Sequence, residues 1–375
     1  GCSILGGQDN TITIGGVTTD NVDDFTDFEI GLRSPTSSVI TGGASNTITS
    51  AFSAFIGAGM SNQVSGYFTP APDYTTHYAS PFSAIVSGEI NKIIGSNGST
   101  IINGQNNKIQ KTDVVKDNTA YGTILNGVNN EINDGIYNII GSGQNNYIRD
   151  SAFSTITNGD TAQITDSPFS SITNGYESSI IGGEYNTING KSNNIVDSTY
   201  SNIVGRANEI TDTDNSALFG DNCKIDGNPG FATNTNYIFG GYNSNIIDSN
   251  YVSLIGGSIN EINGGSYSTI LGGINNRIDT SDNSNIIGGV NNLIENSSHG
   301  IIVGGNGGRA RNYGEVTHSS GYFSQYDDAL NGVEYGSCQN SVFLYRNDAS
   351  DYVQVDIPAT TNNCLVYTSY ASDEE

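Results

Sequence analysis

The stretch Ser266-Tyr267-Ser268-Thr269-Ile270-Leu271-Gly272-Gly273-Ile274-Asn275-Asn276-Arg277-Ile278-Asp279-Thr280 holds the pattern that decides the fold. Two isoleucines stand eight residues apart in it. Ile270 follows Ser-Thr and precedes an apolar residue and two glycines, whereas Ile278 lies two residues after Asn276 and precedes a polar residue. Working outward, the eight-residue step runs without a miss through Ile238, Ile246, Leu254, Ile262, Ile270, Ile278, Ile286, Ile294 and Ile302. A second strict run is Ile124, Ile132, Ile140, Ile148, Ile156, Ile164, Ile172, Ile180 and Ile188, and shorter runs stand at Ile40, Ile48, Ile56 and Val64 and at Ile85, Ile93, Ile101 and Ile109.

Eight residues are too few for a helix and its turn, but they suit one short strand and one tight turn with the isoleucine pointing inward. Successive steps alternate between Ser/Thr-x-Ile-apolar-Gly-Gly and Asn-x-Ile-polar, so the full coil is sixteen residues with two strands. The expected fold is all-β, a parallel β-solenoid or β-roll. Between Ile172 and Ile203 the alternation slips: Ile180-Ile181-Gly182-Gly183 and Ile203-Val204-Gly205 both read as first half-coils, a seven-residue step falls at Ile195, and the register there stays open.

Each repeated residue has a physical task. Isoleucines stack from coil to coil at about 4.8 Å, giving a thin dry core. Glycine pairs allow the backbone a positive φ at the turn. The asparagines before the second isoleucine, Asn46, Asn91, Asn107, Asn130, Asn186, Asn260, Asn276 and Asn292, are expected to form a ladder bonded to the coils above and below. The residue after the first-half isoleucine should point outward, yet it is Val86, Ile102, Leu125, Ile181, Phe239, Ile255, Leu271, Ile287 and Val303. An exposed apolar row of this length points to burial against another copy of the chain, or else under the chain's own loops.

Composition agrees with a repeat and excludes several function classes. The 49 Asn and 48 Gly, with only 14% charged and 35% hydrophobic residues, leave no material for long amphipathic helices. Thirteen basic against 38 acidic residues give a net charge of -25, which argues against nucleic acid or an anionic membrane as partner. No run of 18 apolar residues exists to span a bilayer as a helix, and the N-terminal stretch lacks the pattern of a signal peptide. Four cysteines do not make a disulfide framework in a chain of 375 residues. Cys223 takes an inward place where Asn usually stands and is read as a buried thiol, and Cys338 and Cys364 share one segment and could pair.

Insertions interrupt the period near 17–31, 66–81, 110–121 and 226–237. The second is aromatic, and Tyr67, Phe68, Tyr74, His77 and Tyr78 are its candidate receptor contacts, against the plainer reading of an edge-covering loop. Because Ser3-Ile4-Leu5-Gly6-Gly7 is already a repeat, further protein is expected upstream. The expected domains are a solenoid over 1–310 and a small antiparallel β unit over 311–375, whose truncation is left open, with alternating runs such as Ser341-Val342-Phe343-Leu344-Tyr345 and Tyr352-Val353-Gln354-Val355-Asp356-Ile357.

Across residues 1–310 the Ser-x-Ile-x-Gly-Gly and Asn-x-Ile coils resemble the β-roll repeats of trimeric adhesin heads and of phage tail fibres. The stretch from Arg309 to Phe323, with Asp327-Asp328-Ala329 and Ser341 to Arg346, is similar to the end of the repeat region in such fibres. The sixteen-residue coil departs from the shorter coil of autotransporter heads, and neither a coiled-coil stalk nor an anchor barrel is present in this stretch, which favours the phage fibre. The resemblance implies a parallel homotrimer, its apolar row forming the threefold interface, and gives His318 a structural part in the trimer or turn.

No catalytic or metal site is expected. His77, His299 and His318 fall in no ligand spacing, and no GxSxG, Walker, Rossmann or CxxC pattern occurs. Asp23, Asp24 and Asp27, or Asp212 and Asp214, are the acids that a glycan depolymerase could use as a pair, although Asp is common in turns for its own reasons. The nonapeptide of calcium-binding rolls is missing, which leaves Ca2+ a weak reading and the cofactor expectation at none. Outward positions vary too much for a threonine-ranked ice-binding face. The expected function is therefore non-enzymatic: an extracellular receptor-binding fibre for host attachment, a virion tail fibre or a cell-surface appendage, whose partners are its own copies and a surface glycan or protein, with no membrane insertion. A depolymerase tailspike, a structural spacer and a bacterial trimeric autotransporter head are the alternatives.

Overall fold

A computed structural model of the chain describes residues 2–13, 37–51, 53–68, 77–78, 80–111, 121–227, 235–325 and 334–343. The chain divides into two compact units, Gly1–Thr235 and Asn236–Glu375. Each is a parallel β-solenoid over its described coils, as the eight-residue step requires.

In the first unit the half-coil isoleucines alternate between two parallel sheets. Thr123–Ile124 pairs with Thr100–Ile101 on one side and Ile139–Ile140 on the other, setting Ile101, Ile124 and Ile140 in one row. Glu131–Asn133 pairs likewise with Lys108–Gln110 and Tyr147–Arg149, setting Ile109, Ile132 and Ile148 in the facing row. These side chains are at most 1% exposed. A chain of modest apolar content fills its core because strand alternation sends one isoleucine inward per half-coil and little else. Flanking coils close directly over three of the insertions: Ile4 pairs with Ile40, Ile56 with Ile85, and Ile101 with Ile124.

Register resolves the slip, and it corrects two expectations. Ser179–Ile181 pairs with Gln163–Thr165 and Asn194–Val196, so Ile180 belongs to the second sheet despite the Gly-Gly that follows it. Ile181 therefore leaves the apolar row assigned to it and stands between Thr165 and Val196. Asn186, which precedes Ile188 of the first sheet, leaves the asparagine ladder: its backbone N–H donates to Ser170 Oγ and its Oδ1 accepts from Ser201 N–H. The coils then shorten to fifteen residues, because the first-sheet strands Thr187–Lys191, Asn202–Arg206 and Ala217–Asp221 pass through the corner without the extra residue.

Two hydrogen-bonded corners hold the coils together. At one, Asn130 N–H and Nδ2 both donate to Asn107 Oδ1, and Nδ2 also donates to Gly143 O in the next coil. The same bonds recur at Asn107 and Asn146. At the other corner serines do this work: Ser154 Oγ accepts from Ser170 N–H and donates to Ser167 O. The asparagine and serine side chains in these bonds are buried, so leaving any of them unpaired would cost stability.

In the second unit, Asn236–Tyr242, Val252–Ile255, Thr269–Ile270, Asn285–Ile286 and Ile301–Asn306 form the first sheet, and Asn245–Ile247, Glu261–Asn263, Arg277–Asp279, Leu293–Glu295 and Arg309–Ala310 the second. The coil pattern then gives way. Glu315–Gln325 adds in parallel to Ile301–Asn306 and pairs antiparallel with Glu334–Phe343. The buried Glu315 carboxylate accepts from the backbone N–H groups of Arg311 and Asn312, from Asn312 Nδ2 and from the Thr317 hydroxyl, fixing the turn at this change of pattern.

Candidate functional site

What this solenoid offers a partner is decided at its corners and on its outer faces. The third residue before each first-sheet isoleucine lies in the left-handed region: Tyr121, Tyr137, Phe153, Phe169, Tyr185 and Tyr200 have φ between 52° and 58°. Asparagine or glycine would be the cheap occupant, and other coils do place Ser37, Ser53, Gly98 and Asn215 there. Six consecutive coils instead carry aromatic rings. Their centroids are 4.8–5.1 Å apart and their planes within 20°, one continuous stack at the spacing of the strands. The rings are all exposed, Phe153 by 47%. Tyr251 and Tyr267 repeat the arrangement in the second unit.

Beside this row, three residues earlier, four of these coils place an aspartate, before Tyr137, Phe153, Phe169 and Tyr200, the coil of Tyr185 has Gly182 there, and Asp212 takes the same place before Asn215. Asp134, Asp150, Asp166, Asp197 and Asp212 also have positive φ, which Asp tolerates better than most residues. Asp150 bonds Arg149 at 3.0 Å, and the attraction of the neighbouring Tyr147 and Asp150 holds the Arg149 guanidinium above its ordinary value. Past the opposite corner, register aligns Asp160, Tyr176, Lys191, Arg206 and Asp221. Lys191 Nζ sits 4.4 Å from the Tyr176 ring centre, and Arg206 donates to both carboxylate oxygens of Asp221. These bonds hold the Asp221 carboxyl below the usual range, while the adjacent Glu177 raises the Tyr176 phenol.

The predicted outward row is exposed, and it is shorter than the sequence reading had it. In the first unit Val86, Ile102 and Leu125 are each 42% exposed, but the next positions in register are Gly141, Thr157, Thr173 and Asn189. The apolar row is thus interrupted after Leu125 along the middle of the aromatic stack, and it resumes in register at Val204 and Phe219. In the second unit Phe239, Ile255, Leu271, Ile287 and Val303 continue unbroken, each at least 40% exposed. A parallel row lies three residues on, where Ile274 pairs with Val290. Ile259 is also exposed and has φ 58°, a costly conformation for a β-branched side chain.

The other anticipated residues are more dispersed. Tyr67–Phe68 and His77–Tyr78 form a two-stranded antiparallel ribbon pairing Tyr67 with Tyr78 and Phe68 with His77, which brings four of the five loop positions together; Tyr74 lies outside the described residues. Asp23, Asp24, Asp27 and Cys364 also lie outside them. Asp212 and Asp214 occupy a corner, Asp212 with φ 51° and Asp214 bridged to Thr199. His299 packs on Tyr313 with ring centres 4.8 Å apart, and His318 is on the strand facing Asn340. Cys223 is buried and its N–H donates to Asn208 Oδ1, the asparagine position expected for it. Among the described residues no three His, Cys, Asp or Glu side chains converge as a metal site.

Sequence reading missed the aromatic row because it followed the isoleucines, whereas the tyrosines and phenylalanines recur once per full coil, three residues ahead of every second isoleucine. Writing the chain in coils would have exposed it. No protein-family model matches this chain, and no curated protein matches it, so the reading of its function rests on the surfaces described above.

Proposed function

We propose that this protein is a non-enzymatic attachment fibre, of the extracellular kind that phage tail fibres represent, which assembles as a parallel homotrimer and displays its loops and corners to a glycan or protein on a target surface. The observation that carries the reading is the pair of uncharged outward rows in the second unit, Leu271-Gly272-Gly273-Ile274 and Ile287-Gly288-Gly289-Val290 above all. Apolar side chains on this surface repeat at the strand spacing of about 4.8 Å, and a parallel second copy has that pitch by construction, so its side chains can interdigitate along the whole row. The strained and exposed Ile259 supports the same reading, since an asparagine would relieve its backbone unless the apolar side chain is needed for contact. Three rigid copies would then sum weak receptor contacts by avidity.

Light scattering at micromolar concentration tests the assembly. We expect three times the 39.4 kDa of one chain, and a stable species of one-chain mass overturns the reading. Binding of the intact assembly to a glycan array then tests attachment; an assembly that turns over the arrayed glycans would instead favour the depolymerase.

A further inference from the structure

The aromatic stack carries its tyrosines in adjacent pairs. Tyr121 lies on Tyr137 with centroids 4.9 Å apart and planes at 7°, Tyr185 lies on Tyr200 at 4.8 Å and 7°, and two phenylalanines separate the pairs. In the second unit Tyr251 lies on Tyr267 at 5.1 Å and 12°. All six phenols are exposed, so an oxidant in solution reaches them, and each ring's face is presented to the ring of the adjacent coil. We infer that these three pairs are sites of oxidative modification, at which the two phenols of neighbouring coils join as dityrosine.

The chemistry balances with hydrogen peroxide as oxidant, delivered through a haem peroxidase. Each phenol gives up one electron and one proton and becomes a phenoxyl radical, with spin density on the ring carbons ortho to oxygen. The two radicals form one carbon–carbon bond between ortho carbons. Each of those carbons then loses its hydrogen as a proton while the oxygen regains one, restoring two phenols. The two electrons and two protons released reduce one peroxide to two waters. Coupling in solution must wait for two radicals to meet, whereas here the sheet register holds the partner within one strand spacing. The product ties coil to coil through residues 16, 15 and 16 positions apart in sequence, a covalent addition to a corner otherwise held by hydrogen bonds.

Tyrosines in other rows provide the internal control. Tyr147 stands between Glu131 and Gln163, Tyr176 between Asp160 and Lys191, and Tyr242 faces Ser258. The full chain, dilute and folded, is treated with a haem peroxidase and limiting peroxide, and dityrosine is read by its fluorescence and by linked peptides lighter by two hydrogens. We expect links 121–137, 185–200 and 251–267 to exceed links through Tyr147, Tyr176 or Tyr242 by about tenfold, as held neighbours should. Tyr137→Phe should remove the first link and spare the other two, since phenylalanine keeps the stack. Phe153→Tyr should add a link to Tyr137. Links scattered over all tyrosines, equal yields of the three links from the urea-unfolded chain, or no new link in Phe153→Tyr would each overturn the assignment.

Discussion

Asn130 shows what one residue contributes to this fold. Its side chain gives hydrogen to Asn107 Oδ1 and Gly143 O, and its own Oδ1 takes bonds from Asn146 N–H and Nδ2. Asn130→Ala strips the buried Asn146 N–H of its acceptor, and we expect a loss of about 1–3 kcal/mol in denaturant unfolding. An unchanged midpoint would mean that water replaces the ladder. Gly127 beside it has φ +121°, and a Cβ there would lie 2.1 Å from Gly143 O, which explains why glycine recurs at this corner: the coils approach too closely for any side chain.

At the scale of the element, the aromatic row sets local strain against contact. Each left-handed aromatic costs about 1–2 kcal/mol of backbone energy, and each stacked neighbour returns about 0.5–1.5 kcal/mol. Phe153 touches two rings, Tyr137 and Phe169. Phe153→Ala keeps the strain and loses both contacts, whereas Phe153→Asn loses the contacts and sheds most of the strain, so the Asn variant should be the more stable by about 1 kcal/mol on thermal or chemical unfolding. Equal stabilities would show that the corner relaxes around the smaller side chain. The Arg206–Asp221 pair makes a smaller, pH-dependent element. Because hydrogen bonding lowers the Asp221 carboxyl in the folded chain, its contribution is present above the ordinary Asp range and is lost as pH falls through the lowered folded value. Arg206→Gln should bring the Asp221 titration, followed by carboxyl NMR, back toward the ordinary range.

For the whole molecule, the proposed assembly turns on which surface would meet another copy. Replacing Leu271 and Ile287 together by Asp places two carboxylates in the uncharged rows without touching Ile270 or Ile286, the fully buried core positions beside them. We expect the assembly mass to fall to that of one chain while the far-ultraviolet dichroism of the coils persists. Retention of the full mass would move the interface elsewhere, most directly to the shorter row of Val86, Ile102 and Leu125. The net charge of -25 fits such an arrangement, since it keeps the remaining faces soluble and their contacts selective.

The sequence by itself determined the coil, its two strands, the isoleucine rows and most of the asparagine ladder, because a parallel solenoid repeats one local environment and so writes it in the chain at fixed spacing. It also located Cys223 and the outward row. Tertiary register decided the rest. Ile181 and Asn186 look like members of their rows when judged by neighbouring residues, yet strand pairing sets each on the other sheet or corner, since a local motif does not record which sheet receives it. The aromatic stack likewise exists only once coils lie side by side: residues 15 or 16 apart in sequence become neighbours at 4.8–5.1 Å because hydrogen bonds between coils bring them there.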